Sequence, residues 1–224
     1  ALTAGFVAVA AGDGVQQLFR DLGVQQIVSG GQTMNPSTED ILHAAEQVPA
    51  MDVYVLPNNK NIVMAAEQAA RLARTSGVRR IHVVPTTTIP QGISAMMAYD
   101  ESAEIKDNVE AMQEAASRVQ SGSVTFAARD SDYDGHQIKE GELLALENGK
   151  VAFTGTDLGS VTAKVAKDLM QEGSQFITLL YGEGVTEEQA ADVEEAVRSL
   201  LPEEVELTVA YGGQPVYYFL ISVE

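Results

Sequence analysis

Residues 27–45 read IVSGGQTMNPSTEDILHAA, and this stretch decides the fold because an apolar strand passes through a glycine pair into a helix. Glycine has no Cβ, so Gly30 and Gly31 permit backbone turns that other residues would block. Such a turn directs backbone N–H groups inward, toward the start of the following helix. The stretch therefore predicts a strand, a tight polar loop and a helix that meet at one small space.

Two starts fit this helix. Asn35 is the N-cap with Pro36 at the first helical position, or Ser37 is the N-cap with Asp40 three residues later. In both cases free N–H groups and the positive end of the helix dipole face the loop. Such a site suits an anion, a carboxylate or an acidic side chain of a partner. The simpler interpretation is that the polar residues only cap the helix.

The same strand-then-helix pattern occurs four times before residue 120. Each strand is a short apolar run, and the helices after it carry apolar positions at helical spacing. Repeated units of this kind predict a parallel sheet with right-handed crossovers and helices on both faces. The predicted strands are 5–10, the strand that ends before Gly30, 51–56 and 80–84, and the last two helices are 93–99 and 103–119.

Three strand-to-helix loops are rich in Asn, Thr, Ser and Pro. In a parallel sheet such loops emerge at the same edge, so 30–38, 57–61 and 85–92 are expected to gather into one polar crevice. Lys60 is the only basic side chain in them. The predicted binding residues are Gly30, Gly31, Gln32, Thr33, Asn35, Ser37, Thr38, Asn58, Asn59, Lys60, Asn61, Thr86, Thr87, Thr88 and Gln91.

Near residue 121 the pattern changes, which predicts two domains, 1–120 and 121–224. The second is expected to be a smaller α+β domain with a mixed or antiparallel sheet. Asn148-Gly149 between alternating apolar runs is a strong hairpin signal, and Thr186 with Gln189 forms a capping box at the start of a helix. The predicted strands are 123–128, 136–138, 143–146, 151–153, 175–181, 204–210 and 215–223, and the helices are 158–171 and 186–200.

The formal net charge of the chain is −18, and its distribution is uneven. Residues 1–120 carry 13 acidic and 8 basic side chains, whereas residues 121–224 carry 19 and 6. This charge disfavours nucleic acid and anionic membrane surfaces, and a basic protein is the natural partner. Solubility alone is the simpler explanation. The helix from Thr186 presents a candidate acidic docking face formed by Glu187, Glu188, Asp192, Glu194 and Glu195, and an ordinary solvated helix face is the simpler interpretation.

Patterns typical of catalysis or metal binding are weak. His43, His82 and His136 stand alone, and the chain has no cysteine, so neither a thiolate site nor an HExxH zinc site is expected. The acidic stretch 130–135 resembles the start of a calcium loop, but Gly141 stands where the bidentate Glu belongs, which favours a solvated turn. With no nucleophile–base pair, the crevice indicates binding rather than catalysis.

Neither a leader nor a membrane-spanning run is visible in the sequence, and a cytoplasmic location is expected. Because the chain begins with Ala1 rather than Met, we expect it to be a fragment or a processed chain. The sequence leaves open whether it forms a homodimer.

The loop motifs GGQTMNPST at 30–38, LPNNKN at 56–61 and VPTTTIPQG at 84–92, with the ending PVYYFLISVE at 215–224, resemble one family along essentially the whole chain. They are similar to the C-terminal domain of the ATP-binding subunit of bacterial fatty acid kinase, a dihydroxyacetone-kinase-like protein. The resemblance implies an α/β, DegV-like fold. It also implies a separate fatty-acid-binding carrier as partner, together with the remaining domains of the same subunit.

By this resemblance the domain is not an enzyme on its own. Mg²⁺ and ATP belong to an N-terminal domain of the full subunit, so no cofactor is expected here, and the expected role is to dock the carrier. Direct binding of a fatty acid or small anion in the crevice is the alternative. DegV-like carriers hold the lipid carboxylate with a Thr/Ser-rich loop, to which 35–38 is similar, and with a Ser-Gly-Thr loop, which 58–61 replaces with Asn58-Asn59-Lys60-Asn61.

Overall fold

A computed structural model describes residues 2–31, 34–133 and 135–224. The chain divides into two compact units, Ala1–Arg118 and Val119–Glu224, and each has its own sheet.

The first unit is built on a four-stranded sheet in the order β2-β1-β3-β4, with every pair of neighbours parallel. This confirms the predicted parallel α/β architecture. Its strands are β1 Gly5–Ala10, β2 Gln26–Ser29, β3 Asp52–Leu56 and β4 Arg80–Val83. Its helices are α1 Asp13–Asp21, α2 Thr38–Glu46, α3 Val63–Ser76, α4 Ile89–Met97 and α5 Ile105–Arg118.

The two central strands explain why this sheet is stable. Every residue of β1 and β3 is buried, and apart from Asp52 at the start of β3 these strands are continuously apolar or aromatic rather than alternating. Val7, Val9, Val53 and Val55 pack with the buried faces of α2 and α3. Full burial of a valine or leucine contributes roughly 1.5–3 kcal/mol relative to exposure, so these contacts stabilise the sheet against the two helices.

The second unit contains a six-stranded mixed sheet in the order β11-β10-β12-β5-β8-β9. Of its described strands, β10 and β11 run parallel, and the other neighbouring pairs are antiparallel. Its strands are β5 Gln120–Phe126, β8 Leu143–Glu147, β9 Lys150–Gly155, β10 Phe176–Tyr181, β11 Glu206–Tyr211 and β12 Phe219–Val223. The helices α6 Leu158–Leu169 and α7 Glu187–Leu200 pack with the core of this unit.

The predicted hairpin joins β8 to β9. Asn148 and Gly149 both have positive φ, 51° and 84°, as a type I′ turn requires. The acidic stretch is also part of a hairpin, since β6 Ser131–Tyr133 pairs with β7 His136–Ile138. There the Asp130 carboxylate accepts a hydrogen bond from the Glu140 N–H at 2.8 Å, while Asp134 lies outside the described residues.

Several predicted boundaries are wrong: β5, for example, begins at Gln120 rather than at residue 123. Two others have a clear physical reason. Helix α4 begins at Ile89 rather than at residue 93, because the Thr88 side chain caps it by accepting a hydrogen bond from the Gln91 N–H. Strand β12 begins at Phe219 rather than at Pro215. The Tyr217 N–H donates to the Pro215 carbonyl, and Val216 has a φ of 71°, so these residues form a tight turn before the strand.

Candidate functional site

Hydrogen bonds bring the three polar loops of the first unit together at the C-terminal edge of its sheet. Asn58 follows β3, and its side-chain amide donates to the Val9 carbonyl of β1 at 3.0 Å. The Thr86 hydroxyl, after β4, donates to Asn58 Oδ1 at 2.8 Å and accepts from the Asn58 N–H at 3.1 Å. Asn58 therefore ties the ends of three neighbouring strands to one another.

Burial shows what Asn58 and Thr86 do in this arrangement. Asn58 is 7% exposed and Thr86 1% exposed, so their polar atoms form hydrogen bonds within the protein rather than with solvent. Asn58 has a left-handed backbone with φ of 57°, which Asn tolerates better than most residues. Gly92 in α4 leaves the space that the Asn58 amide fills, because a Cβ there would overlap it.

Asn59 extends the same network to the glycine turn. Its Nδ2 donates to the Gly31 carbonyl at 2.6 Å, and its Oδ1 accepts from the Asn61 N–H at 2.8 Å. Gly30 and Gly31 both have positive φ, and the Gly31 N–H closes the turn by donating to the Met34 carbonyl at 2.8 Å. The loop after β2 is thus attached to the loop after β3.

The start of α2 follows the second of the two predicted starts. Ser37 is the N-cap: its hydroxyl accepts from the Asp40 N–H, and the Asp40 carboxylate accepts from the Ser37 N–H at 2.9 Å. That backbone hydrogen bond lowers the pKa of Asp40. The alternative with Asn35 as N-cap is wrong, and Asn35 is left exposed before the helix.

The loop after β4 also forms hydrogen bonds within itself and with the start of α4. The side-chain oxygen of Gln91 accepts from the Thr87 N–H at 2.8 Å and from the Thr87 hydroxyl at 3.1 Å. Beside this loop lies a shallow cavity of about 290 Å³, bounded by α4 and α5 and lined by Val84, Pro85, Thr86, Thr87, Gln91, Gln113, Ala116 and Ser117.

Most of the predicted crevice residues divide into two groups, and Gly30 supplies part of the positive-φ glycine turn. Gly31, Ser37, Asn58, Asn59, Thr86, Thr87, Thr88 and Gln91 take part in hydrogen bonds within the unit. The side chains of Asn35, Lys60 and Asn61 are exposed at the rim, and Thr38 lies half-buried at the start of α2. Gln32 and Thr33 lie outside the described residues. Ligand binding by any of these residues stays a prediction.

The predicted acidic face in the second unit is a solvent-facing helix surface. Helix α7 buries Ala190, Val193 and Val197, and its N-terminus is closed by the Thr186–Gln189 capping box as expected. The five predicted carboxylates, Glu187, Glu188, Asp192, Glu194 and Glu195, are all exposed. Within the described ranges, none of the five forms a salt bridge.

One charged cluster was missed by the sequence interpretation. Asp52, 8% exposed, accepts two hydrogen bonds from the Arg80 guanidinium at 2.7 and 2.9 Å and lies 2.9 Å from His82 Nε2. The hydrogen bonds from Arg80 lower the pKa of Asp52 to about 2. These residues lie on adjacent strands with Asp52 opposite Arg80, so the pairing register of β3 and β4 is the signal that locates them.

The described residues contain neither a candidate metal site nor a helix able to cross a membrane. No group of three or more His, Asp or Glu side chains among residues 2–31, 34–133 and 135–224 is arranged to hold a metal ion. None of the helices in those same ranges combines the length and the apolar character needed to cross a bilayer.

Comparison with known proteins covers nearly the whole chain. The family of FakA-like fatty acid kinase C-terminal domains matches residues 5–224. Protein YloV of Bacillus subtilis (strain 168) is 40% identical over 220 residues, which cover 98% of this chain and 39% of that protein. The chain therefore spans about two fifths of the length of the curated relatives it matches.

Solved structures show the same fold at low sequence identity. A DegV-family protein from Ruminococcus gnavus, solved with vaccenic acid, has a TM-score of 0.68 and 12% identity, and the match covers all of both chains. The dihydroxyacetone kinase of C. freundii in its native form has a TM-score of 0.67 and 13% identity, covering 98% of this chain and 47% of that one. These likenesses confirm the predicted DegV-like fold.

Proposed function

Because this chain belongs to the family of FakA-like fatty acid kinase C-terminal domains, we propose that it is a docking domain that brings a fatty-acid-binding carrier protein to the kinase. In this proposal the domain works in the cytoplasm and is not catalytic by itself. The acyl carboxylate is phosphorylated, with Mg²⁺ and ATP, by other domains of the longer protein. Most of the length of Protein YloV lies outside the region matched by this chain.

The acidic face of α7 is the observation that carries the docking proposal. Five exposed carboxylates lie on one helix, and in the described part of the chain none is neutralised by a salt bridge. A face of this kind attracts a basic surface and accelerates its encounter, and it disfavours acidic competitors. A carrier with a complementary basic patch fits it.

The crevice supports a binding or structural role rather than a chemical one. Its buried polar atoms are occupied by each other, as the Asn58–Thr86 pair illustrates. General acid–base or nucleophilic chemistry needs a reactive group held within hydrogen-bond reach of its base and open to the substrate. The described crevice residues supply amides, hydroxyls and one lysine instead.

Titration calorimetry of the purified carrier against this chain tests the proposal. We expect saturable binding that weakens at least severalfold between about 50 and 300 mM salt, because screening shortens the range of charge attraction. The charge-reversal pair Glu187→Lys/Asp192→Lys is expected to weaken binding. The pair Glu67→Lys/Glu110→Lys, at exposed positions of the other unit, is the matched control because it changes the net charge by the same amount. Absence of binding by this chain, together with tight binding by the full-length protein, would exclude a docking role for it.

Direct binding of a fatty acid in the crevice is the second candidate. The observation that favours it is the likeness to the R. gnavus DegV-family protein solved with vaccenic acid. Asn35, Lys60 and Asn61 are the exposed crevice groups available for a carboxylate. The adjacent cavity of about 290 Å³ lies at the lower end of the roughly 300–1,000 Å³ typical of ligand sites.

Native mass spectrometry of the gently purified chain, with thermal unfolding in the presence of oleate, tests this candidate. A bound lipid mass and a higher melting temperature that Lys60→Gln reduces would support it. A ligand-free mass spectrum and an unchanged melting temperature would eliminate it.

A further inference from the structure

Strand β11 is a terminal strand of the mixed sheet, and in the described part of the chain its sheet neighbour is β10 alone. Natural proteins usually protect such edges with lysine, proline or a bulge. The sequence of β11, ELTVAY from Glu206 to Tyr211, contains neither lysine nor proline, and its pairing with β10 is regular. The opposite terminal strand, β9, differs because it begins with Lys150 and its pairing with β8 contains a register shift.

The hydrogen bonds of β11 show which backbone groups face outward. The Glu206 N–H donates to the Gln175 carbonyl, and the Gly212 N–H donates to the Tyr181 carbonyl. Successive residues of a strand direct their backbone N–H and C=O groups to alternate sides, so the backbone groups of Thr208 and Ala210 also point toward β10. The N–H and C=O groups of Leu207, Val209 and Tyr211 therefore point away from the sheet. Within the described residues, no backbone strand lies on that side to receive them.

A groove of about 490 Å³ runs between this strand and the acidic helix α7. Glu194 and Glu195 of α7 and Glu206 of β11 line it. The basic side chain among its described lining residues, Arg198, already donates to the Val205 carbonyl at 2.6 Å and to the Glu203 carbonyl at 3.4 Å. Three carboxylates against one engaged guanidinium leave the groove negative, which favours a basic occupant and opposes a second copy of this acidic chain.

We propose that the carrier contacts this domain by adding an extended, basic segment to β11 as a seventh strand, with lysine or arginine side chains directed to the carboxylates of the groove. The inference rests on the proposed docking function and specifies how the docking occurs. In such strand addition, main-chain hydrogen bonds supply affinity, and the alternate side chains of the added segment supply specificity.

Substitution of Val209 by proline tests the pairing directly. Proline removes the outward N–H that the added strand needs, and proline is tolerated in edge strands where its nitrogen faces solvent. We expect Val209→Pro to weaken carrier binding at least tenfold in calorimetry, whereas Val209→Ala, which keeps the N–H, stays within about threefold of wild type. Circular dichroism and thermal unfolding of both variants check that the sheet is intact.

Amide hydrogen exchange of the wild-type chain gives a second measurement that does not depend on the proline variant. When the carrier is added, the amides of Leu207, Val209 and Tyr211 should exchange more slowly, because they gain partners. Those of Glu206, Thr208 and Ala210 should change little, because they are already bonded to β10.

The outcomes separate this inference from the function on which it rests. If the wild-type chain binds no carrier, the docking function itself is wrong. If Val209→Pro is folded and binds as well as Val209→Ala, or if exchange shows no alternation, docking stands but strand addition is overturned. If Val209→Pro instead abolishes self-association seen by ultracentrifugation, the edge pairs with a second copy, and the basic-segment proposal is equally overturned.

Discussion

The hydroxyl oxygen of Thr86 lies 2.8 Å from Asn58 Oδ1 and 3.1 Å from the backbone nitrogen of Asn58. Two hydrogen bonds therefore join these residues at the ends of β3 and β4. A third bond, from the Asn58 amide to the Val9 carbonyl, extends the pair to β1. Since the pair is buried, its hydrogen bonds are shielded from competition with water. The polar crevice thus has a buried, hydrogen-bonded interior and an exposed rim.

Asn58→Ala is expected to destabilise the first unit by about 3 kcal/mol. The substitution removes the acceptor of the Thr86 hydroxyl hydrogen and the side-chain donor to the Val9 carbonyl, although the backbone N–H of residue 58 can still donate to Thr86 Oγ1. Each unsatisfied buried group costs about 1–3 kcal/mol. It also places alanine at a positive φ. Urea unfolding measures the difference. Asn61→Ala at the exposed rim is the control and should fall within about 0.5 kcal/mol of wild type.

Gly92→Ala is expected to destabilise the protein, although the same change in an ordinary helix interior stabilises it by about 1 kcal/mol. The new Cβ would overlap the Asn58 amide, and such overpacking costs about 1–3 kcal/mol. Unfolding of Gly92→Ala, Asn58→Ala and the double variant forms a thermodynamic cycle. The clash should disappear in the Asn58→Ala background, so additive effects would contradict this contact.

The starts of two helices show how far the sequence determines this site. Both Asn35 and Ser37 satisfy the local rules for an N-cap, and only the reciprocal Ser37–Asp40 bonds in the folded chain select one of them. For α4, Pro90 and Gly92 looked like loop residues, but proline is well suited to the first turn of a helix once Thr88 caps it. Local sequence patterns thus predict which helices and strands form, whereas contacts in the folded chain determine where each one begins.

Burial of polar residues is less accessible to sequence analysis. Periodicity predicted the parallel sheet and therefore the edge where the loops meet. It gave no sign that Asn58 is buried, because its partners Val9 and Thr86 lie 49 and 28 positions away. The Asp52–Arg80 pair depends in the same way on the register of two strands. Polar loop residues that looked available to a ligand are largely committed to one another.

Acid should remove the stabilisation that Asp52 supplies. Hydrogen bonds from Arg80 lower its pKa from 3.8 to about 2, so this contribution is present above pH 3.8 and is lost as the pH falls toward 2. Asp52→Asn should cost about 1–2 kcal/mol at pH 7, a value reduced by solvent screening of the exposed guanidinium. Urea unfolding at pH 7, 4 and 3 should show this difference shrinking in acid. If the difference in the free energy of unfolding between wild type and Asp52→Asn stayed constant from pH 7 to pH 3, the lowered pKa of Asp52 would be contradicted. Glu67→Gln on the exposed side of α3 is the control.

The opposite pH dependence is expected from Glu147 in the second unit. Burial, followed by the hydrogen bond to the Asp168 carboxylate, raises the pKa of Glu147 to about 7. Burial acts in the same direction on Asp168, but the hydrogen bond from Glu147 and the ion pair with Lys164, 3.0 Å away, outweigh it and lower the pKa of Asp168. Below neutral pH the protonated Glu147 therefore donates to the ionised Asp168.

Because the folded-state pKa of Glu147 is raised, its contribution is fully present below about pH 4.5 and is lost as the pH rises through 7. Glu147→Gln keeps a donor for Asp168 but cannot ionise, so the variant should be more stable than wild type at pH 8.5 and should lose this advantage at pH 5. Urea midpoints at pH 5, 7 and 8.5 measure the change, with the exposed Glu172→Gln as control. Parallel pH profiles for wild type and Glu147→Gln would show that the pKa of Glu147 is not raised, because the glutamine removes both the cost of ionising a buried carboxyl group and the repulsion between that group and Asp168.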